Sequence, residues 1–254
     1  MIDDHQPQVR SRRGRWRTGA IVAATAVAVT IGGSFWIRAD AGTAPTEVVR
    51  YTFDDTAGTL FPDVTGGPQP LKTVSSKGGA LTSIAHGNGT AIQFPPPCRH
   101  EPCPRVALRA KNSASLNPGR GPIRFGASVL LSRQQTTKGE NIVQKGYSAR
   151  GSQYKLQIDG TAGKPSCAMV DAEGRVHIAR SSVTVADDSW HTLECRRKGT
   201  WLSIRVDGRR RGSTTVPADL TISNTVPLSI GGKGAYRDND QFQGALDDVW
   251  VALG

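Results

Sequence analysis

Apolar and polar residues alternate with a period of two along much of the chain, most clearly in residues 190–208, WHTLECRRKGTWLSIRVDG. Every second residue from Leu202 to Val206 is apolar, which is typical of an extended strand with one buried face. A glycine turn at residues 198–200 and the pair Asp207-Gly208, which tolerate positive φ, predict two antiparallel strands closed by a second turn. A hairpin alone is marginally stable in water, so the rest of the chain must supply a sheet and a facing layer.

Further runs of the same kind predict roughly a dozen strands in all. They fall at residues 48–53, 91–94, 105–109, 123–132, 141–145, 153–159, 167–171, 175–180, 190–197, 201–206, 220–223, 227–230 and 243–253. Residues 54–85 are rich in glycine and contain few apolar anchors, so we expect a long loop there. Because no helical period of useful length occurs, the pattern predicts an all-β fold, a two-sheet antiparallel jelly-roll β-sandwich.

The N-terminal segment has the composition of an export signal. Five arginines between Arg10 and Arg17 precede an uncharged run at residues 20–37, and Ala39-Asp40-Ala41 offers a small-x-small cleavage site. This order predicts either a signal peptide cleaved after Ala41 or a retained N-terminal membrane anchor. Both place the following domain outside the cytoplasmic membrane, and whether the Sec or the twin-arginine route is used stays open. We therefore expect a signal or anchor at residues 1–41, a short stem at 42–47 and one domain at 48–254.

The charge of the exported part limits its partners. Without residues 1–41 the chain has 26 basic and 18 acidic residues, a net charge of about +8. A basic extracellular domain can attract polyanionic polymers, although the same charge also serves solubility alone. No nucleic-acid-binding motif accompanies the charge, so we expect no nucleic-acid partner. Contact with a membrane is expected only through an uncleaved N-terminal segment.

Three segments resemble one known family. They are the 190–208 hairpin, the opening residues 51–63 with YTFDD, and the closing residues 227–249 with PLSIGG and FQGALDDV. In order and spacing they are similar to laminin-G-like domains of the concanavalin A-like lectin/glucanase superfamily. The resemblance covers residues 48–253 and implies the jelly-roll fold. It leaves the function open, because this superfamily contains binding modules, adhesion modules and hydrolases.

The four cysteines fit an oxidising compartment. Cys98 and Cys103 enclose a short loop, and Cys167 and Cys195 lie in two predicted strands. We expect the pairs Cys98–Cys103 and Cys167–Cys195, one of three possible connectivities. A zinc site using His100 is the competing interpretation, which the spacing and the compartment both disfavour.

The acidic residues argue against catalysis. Glucanases of the superfamily carry Glu-x-Asp-x-x-Glu or a shorter version on one strand, because glycoside hydrolysis needs an acid and a nucleophile close together. None of the five glutamates has an acidic partner at that spacing within a strand. His191 has no adjacent serine, cysteine or metal partner in the sequence and is expected to be structural. We therefore predict that the domain has no catalytic residues.

Four residues are candidates for ligand binding. Trp201 lies opposite the apolar face of its strand, and Tyr236 lies in a polar loop, so either ring could stack on a sugar. Lys233 and Arg237 flank Tyr236 and could meet acidic groups. Trp190 and Trp250 are expected to be core or sheet-edge residues instead.

Calcium is the cofactor that the resemblance implies. Asp54 and Asp63 in the opening loop and Asp247 in the closing strand match positions where relatives hold a structural ion, and Asp238-Asn239-Asp240 is a second candidate. The alternative is that these aspartates make ordinary hydrogen bonds at turns and strand ends.

Taken together, these features predict a secreted or surface-tethered binding module without catalytic activity. We expect its ligand to be carbohydrate or another extracellular polymer, including a polyanionic one. Two alternatives remain, a polysaccharide-active hydrolase of the same fold and a protein-interaction or structural surface module.

Overall fold

The computed structural model describes residues 45–55 and 60–254, which contain sixteen strands and two short 3₁₀ turns. They lie in one compact unit. The predicted signal peptide or anchor and part of the stem lie outside the described residues. The first strand begins at Thr46, two residues before the expected start of the domain. No helix within 45–55 and 60–254 is long and apolar enough to span a membrane.

The first sheet has eight antiparallel strands. From one edge to the other it contains β14 (Arg209–Thr215), β13 (Trp201–Val206), β12 (Trp190–Lys198), β7 (Ile123–Leu130), β16 (Ala245–Leu253), β5 (Gly89–Gln93) and β4 (Thr82–His86), with β1 (Thr46–Tyr51) also paired to β16. The hairpin predicted from residues 190–208 is confirmed, because Lys198 pairs with Trp201 and the strands continue to Leu193 opposite Val206. Asp207 and Gly208 both have positive φ, at 52° and 71°.

The second sheet also has eight antiparallel strands. Its order is β11 (Val176–Arg180), β10 (Lys164–Val170), β9 (Gln153–Asp159), β8 (Glu140–Lys145), β15 (Leu228–Ile230), β6 (Arg105–Arg109), β3 (Leu71–Ser76) and β2 (Leu60–Phe61). The two sheets face each other over one core, as the alternation predicts for a sandwich.

The core is closed by one disulfide between the sheets. Cys167 of β10 is bonded to Cys195 of β12, and both residues are fully buried. Beside this bridge, the rings of Phe125 and Tyr154 meet across the sandwich with centroids 5.0 Å apart. The second bridge joins Cys98 to Cys103, so both pairs are those expected from the sequence.

Three expectations about strands are wrong. Residues 54–85 contain β2, β3 and β4 rather than only a loop, and β14 follows the Asp207-Gly208 turn where no strand was assigned. These are edge or near-edge strands whose side chains are mostly exposed or half-buried, so they lack a clear apolar pattern. Conversely, residues 220–223 form only an isolated bridge between Gly119 and Ile222, because their apolar residues anchor a loop to the core.

Candidate functional site

The outer face of the second sheet carries an unusual number of buried polar side chains. Alternate residues of β9 point into the core, namely Tyr154, Leu156 and Ile158. The residues between them therefore lie on the opposite face, namely Gln153, Lys155 and Gln157. In β8, Gln144 lies opposite Lys155 and Asn141 lies opposite Gln157. The four amides are buried although they face away from the core, so other parts of the chain cover this surface.

One covering segment is the loop at residues 231–241, between β15 and β16. Its backbone is held by a hydrogen bond from Lys233 N to Asn239 O at 2.8 Å and by one from Asn141 N to Asp240 O at 2.9 Å. The Ser76 hydroxyl donates to Ala235 O at 2.7 Å, which fixes the middle of the loop. A Cβ atom on Gly234 would lie 2.8 Å from the Tyr236 ring, so glycine is needed there for the ring to adopt its position.

This loop and the sheet enclose a cavity of about 630 Å³. Its lining residues are mostly polar and are Gln144, Tyr147, Ser148, Ala149, Arg150, Gln153, Lys155, Lys233, Tyr236 and Asp240. The Tyr236 ring is 49% exposed and lies in its wall. Burial, together with the nearby Tyr147 hydroxyl, raises the pKa of Tyr236 to about 12. The Lys233 ammonium forms an ion pair with Asp240 at 2.5 Å.

A second cavity of about 490 Å³ continues from the first. It is lined by Arg105, Thr137, Lys138, Gly139, Lys155, Gln157, Asp159, Asp238, Asn239, Asp240, Gln241 and Gln243. Because Lys155 and Asp240 line both cavities, the two form one groove across the outer face of the second sheet. We call this surface the groove.

The groove is polar and carries a positive charge. Its lining contains five basic and three acidic side chains, a net charge of +2. Burial lowers the pKa of Lys155, which the carboxylates of Asp159 and Asp240 oppose, and burial raises the pKa of Asp159. Strong electrostatic interactions are therefore available to a charged ligand at the centre of the groove.

Several buried polar atoms of this surface have no partner among the described residues. They include Asn141 Oδ1, Asn239 Oδ1 and Gln243 Oε1. Glu140 lies beneath the groove and is fully buried. Its Oε1 accepts hydrogen bonds from Thr137 N at 2.8 Å and Thr137 Oγ1 at 3.2 Å. Its Oε2 has no partner among the described residues. An unpaired buried acceptor is costly, so each of these oxygens retains an unused capacity to accept a hydrogen bond.

The structure brings together two of the four predicted ligand-binding residues. Tyr236 and Lys233 both line the first cavity. Arg237 projects into solvent with its side chain 80% exposed and its Nε 3.9 Å from Asp238. Trp201 is 57% exposed at the start of β13 and belongs to the other sheet, outside the groove.

Each of the three predicted metal ligands makes hydrogen bonds within the protein. Asp63 Oδ1 accepts from Arg50 N and Thr65 N, both at 3.1 Å, and Asp54 Oδ1 accepts from Thr90 N at 2.9 Å. Asp247 Oδ2 lies 2.6 Å from Nδ1 of His86. Among the described residues, no three His, Cys, Asp or Glu side chains are arranged to hold a metal ion. A calcium site formed partly by backbone carbonyls stays a prediction.

His191 is held between two carboxylates near the start of β12 in the first sheet. Its Nδ1 lies 2.8 Å from Asp207 and its Nε2 lies 3.0 Å from Asp187. Burial alone would lower the pKa of His191, but the two carboxylates raise it above its ordinary value. The imidazole forms hydrogen bonds to a turn residue on each side, so it links the two turns that contain Asp187 and Asp207.

The fold and the groove together define a two-sheet jelly-roll sandwich with a polar cleft on one outer face. A family model described as the Concanavalin A-like lectin/glucanases superfamily matches residues 127–252. The laminin-G-like resemblance of the sequence is thereby confirmed. No curated protein sequence matches the chain.

Solved structures share this fold at low sequence identity. Domain 4 of AbnA, a GH43 extracellular arabinanase from Geobacillus stearothermophilus in complex with arabinotriose, is 15% identical with a TM-score of 0.63, over 83% of this chain and 93% of that one. The binding domain of Paraclostridial Mosquitocidal Protein 1 is 13% identical with a TM-score of 0.61; the match covers 82% of this chain and 48% of that one. The binding domain of Botulinum Neurotoxin DC in complex with SialylT is 9% identical with a TM-score of 0.58; the match covers 82% of this chain and 47% of that one. This chain thus spans about half the length of the two toxin domains, and at these identities the likeness concerns the fold.

Proposed function

We propose that the domain is an extracellular, non-catalytic carbohydrate-binding module whose binding site is the groove. The observation that carries the proposal is the combination of a half-exposed tyrosine ring with buried amides and lysines in one continuous cleft. The two cavities, of about 630 and 490 Å³, each fall within the size range of ligand sites. Together they offer room for more than one sugar ring.

The hydrogen-bonding groups of the groove suit sugar hydroxyls. Asn239 and Gln243 line the second cavity, and each has a side-chain oxygen without a partner among the described residues; hydroxyl groups can donate hydrogen bonds to such oxygens. Gln144 and Gln153 add amide groups to the first cavity, while Tyr236 and Tyr147 offer ring faces for stacking. An apolar ligand would leave these buried polar atoms without partners, which costs free energy.

The charge of the groove favours acidic sugars within this class. Arg150, Lys155 and Lys233 line the first cavity, where Asp240 is the single acidic side chain. A carboxylate on the ligand could bind Lys155, whose ammonium is partly desolvated. This interaction should weaken as the salt concentration rises, whereas stacking on Tyr236 should not.

The similar structures supply independent support for the ligand class. One is described in complex with arabinotriose and one in complex with SialylT, and two are described as binding domains. The two disulfides and the predicted export segment support an extracellular location.

A glycan array with the purified chain, with and without calcium, tests the proposal. For a bound glycan, calorimetry should show that Tyr236→Ala weakens binding by about 5- to 150-fold, the effect of losing about 1 to 3 kcal/mol of burial and stacking. Trp201→Ala is the matched control, because Trp201 is equally aromatic and exposed but lies on the other sheet. Equal binding by the wild type and Tyr236→Ala, or a loss confined to Trp201→Ala, would place the site elsewhere.

The same preparation separates binding from hydrolysis. Asp159 and Asp240 are two carboxylates that line one cavity, so they are the pair to examine. We expect no release of reducing ends from a bound polysaccharide. Release that is abolished by Asp159→Asn or Asp240→Asn would identify the domain as a hydrolase.

A further inference from the structure

A further cavity lies on the outer face of the second sheet, over β2, β3 and β6 at one edge of the sheet. It encloses about 580 Å³. Its lining residues are Leu60, Pro68, Pro70, Lys72, Val74, Arg109, Ala110, Lys111 and Pro227. None of these residues lines the groove, so this cavity is a separate surface, which we call the edge pocket.

The strand register brings apolar and basic side chains together in the edge pocket. Leu108 of β6 points into the core, so the next residue, Arg109, lies on the outer face of the sheet. Arg109 is directly opposite Lys72 of β3, and Lys72 is directly opposite Leu60 of β2. Residues that are directly opposite in a sheet share a face, so these three side chains form one row across the outer face.

The walls of the edge pocket are apolar and accessible. Leu60 is 43% exposed, and Pro68 and Pro70 are exposed as well. The lining contains no hydroxyl, amide, carboxylate or aromatic side chain, so a sugar placed here would lose hydration without gaining partners for its hydroxyl groups. Three of the lining residues are prolines, which have no backbone N–H to pair with an extended peptide. The edge pocket therefore suits an apolar group.

The charged rim of the edge pocket has one sign. Lys72, Arg109 and Lys111 line it without an acidic residue. None of the ion pairs among the described residues involves any of the three. Like charges directly opposite each other in a sheet are destabilising, which applies to Lys72 and Arg109. An anion held between these two side chains would offset their repulsion.

We infer that the edge pocket binds a small anionic amphiphile, a molecule with an apolar chain or ring and one acidic head group. The apolar part would pack against Leu60, Val74 and the prolines, and the head group would accept hydrogen bonds from Lys72 and Arg109. The volume of the pocket is within the range of small-molecule sites. This site is independent of the groove and remains valid if the groove binds no glycan.

Calorimetric titration of the purified chain with decanoate, below its micelle-forming concentration, tests the inference. Decanoate should bind saturably, and its affinity should fall about fourfold for each methylene group removed from the chain, the effect of about 0.8 kcal/mol per buried methylene. Decyltrimethylammonium, which has the same chain and the opposite charge, should bind at least about 10-fold more weakly. Absence of decanoate binding, equal binding of the two head groups, or an affinity that does not change with chain length would overturn the inference.

Variants of the rim locate the head group. Lys72→Gln/Arg109→Gln should weaken decanoate binding at least about 10-fold, the scale of one lost charge-assisted hydrogen bond. If this variant does not fold, Lys72→Gln/Lys111→Gln should weaken binding in the same direction. The matched control is Lys198→Gln/Arg209→Gln, which removes the same charge from exposed positions of the first sheet and should leave the affinity unchanged. Equal losses in the rim and control variants would overturn the inference.

Variants of the wall locate the apolar chain. Leu60→Ser should weaken decanoate binding by about 3- to 10-fold, because part of the burial of one leucine is lost. Ile178→Ser is the matched control, since Ile178 is 38% exposed on β11 at the opposite edge of the same sheet. Lys155→Met in the groove should also leave the affinity unchanged. Binding to phosphatidylglycerol vesicles without binding of monomeric decanoate would identify a membrane contact instead and would overturn the inference.

Discussion

The Cys167–Cys195 bridge should contribute several kcal/mol to the stability of the sandwich. It joins β10 of one sheet to β12 of the other, and the two cysteines are 28 residues apart. The chain-entropy model assigns a loop of this length about 3 to 4 kcal/mol. For a domain of this size each kcal/mol shifts the melting temperature by about 2 to 4 °C. We therefore expect the double variant Cys167→Ala/Cys195→Ala to melt about 6 to 16 °C lower than the wild type.

Circular dichroism during a thermal scan measures this shift, with denaturant unfolding as a second readout. The matched control is Cys98→Ala/Cys103→Ala, because that bridge spans only five residues and Cys98 lies at the surface. The control should lose less stability, since a shorter loop restricts the unfolded chain less. A larger loss in the control than in the central variant would refute the reasoning. So would non-reducing peptide mapping that found Cys167 bonded to Cys98 or Cys103.

Three further predictions concern pH and calcium. Burial raises the pKa of Glu140 to about 7. The contribution of this group to stability is therefore fully present below its unfolded pKa of about 4.3 and is lost as the pH rises through 7. Denaturant unfolding at pH 4.5 to 8.5 should show that Glu140→Gln removes on the order of 3 kcal/mol of this pH dependence. The pKa of His191 is also raised, so its contribution to the free energy of unfolding is likewise lost as the pH rises from about 6.5 through its folded pKa. His191→Gln should reduce the slope of the free energy of unfolding against pH in that range. An unchanged slope would show that the two carboxylates do not favour the imidazolium. If Asp54, Asp63 and Asp247 contribute to a calcium site, the melting temperature should be higher with calcium than with a chelator. Asp247→Ala should remove most of this difference. Identical thermal scans with calcium and with chelator would leave these aspartates as hydrogen-bond acceptors.

The sequence predicts the central strands well and the edge strands poorly, for a physical reason. In β13 the residues Leu202 and Ile204 are fully buried, so burial imposes the alternation that predicts a strand. β4 and β14 gain their stability mainly from backbone hydrogen bonds to one neighbour, which any side chain permits. The sequences of such strands therefore show little alternation of apolar and polar residues. The long loop expected at 54–85 therefore contained three strands.

The candidate site was predictable only in part, because it is assembled from distant segments. Tyr236 and Lys233 share a short polar loop, and their exposure could be judged from local composition. The alternation that predicts β9 also places Lys155 on the face opposite the core, but the loop at 231–241 that encloses this face comes some 80 residues later. The strand alternation predicts that Trp201 lies opposite the apolar face of β13, and only the sheet order shows that it lies outside the groove.

The distribution of unpaired buried polar atoms links stability to binding. At the groove these atoms are oxygens of Asn239 and Gln243, and beneath it the atom is an oxygen of Asn141. Each costs about 1 to 3 kcal/mol while it has no partner, so a sequence optimised only for stability would replace or pair them. A hydrogen-bond donor is the group that would satisfy each of these oxygens. A glycan whose hydroxyl groups donated to them would stabilise the fold on binding, by about 2.7 kcal/mol at a concentration 100 times its Kd.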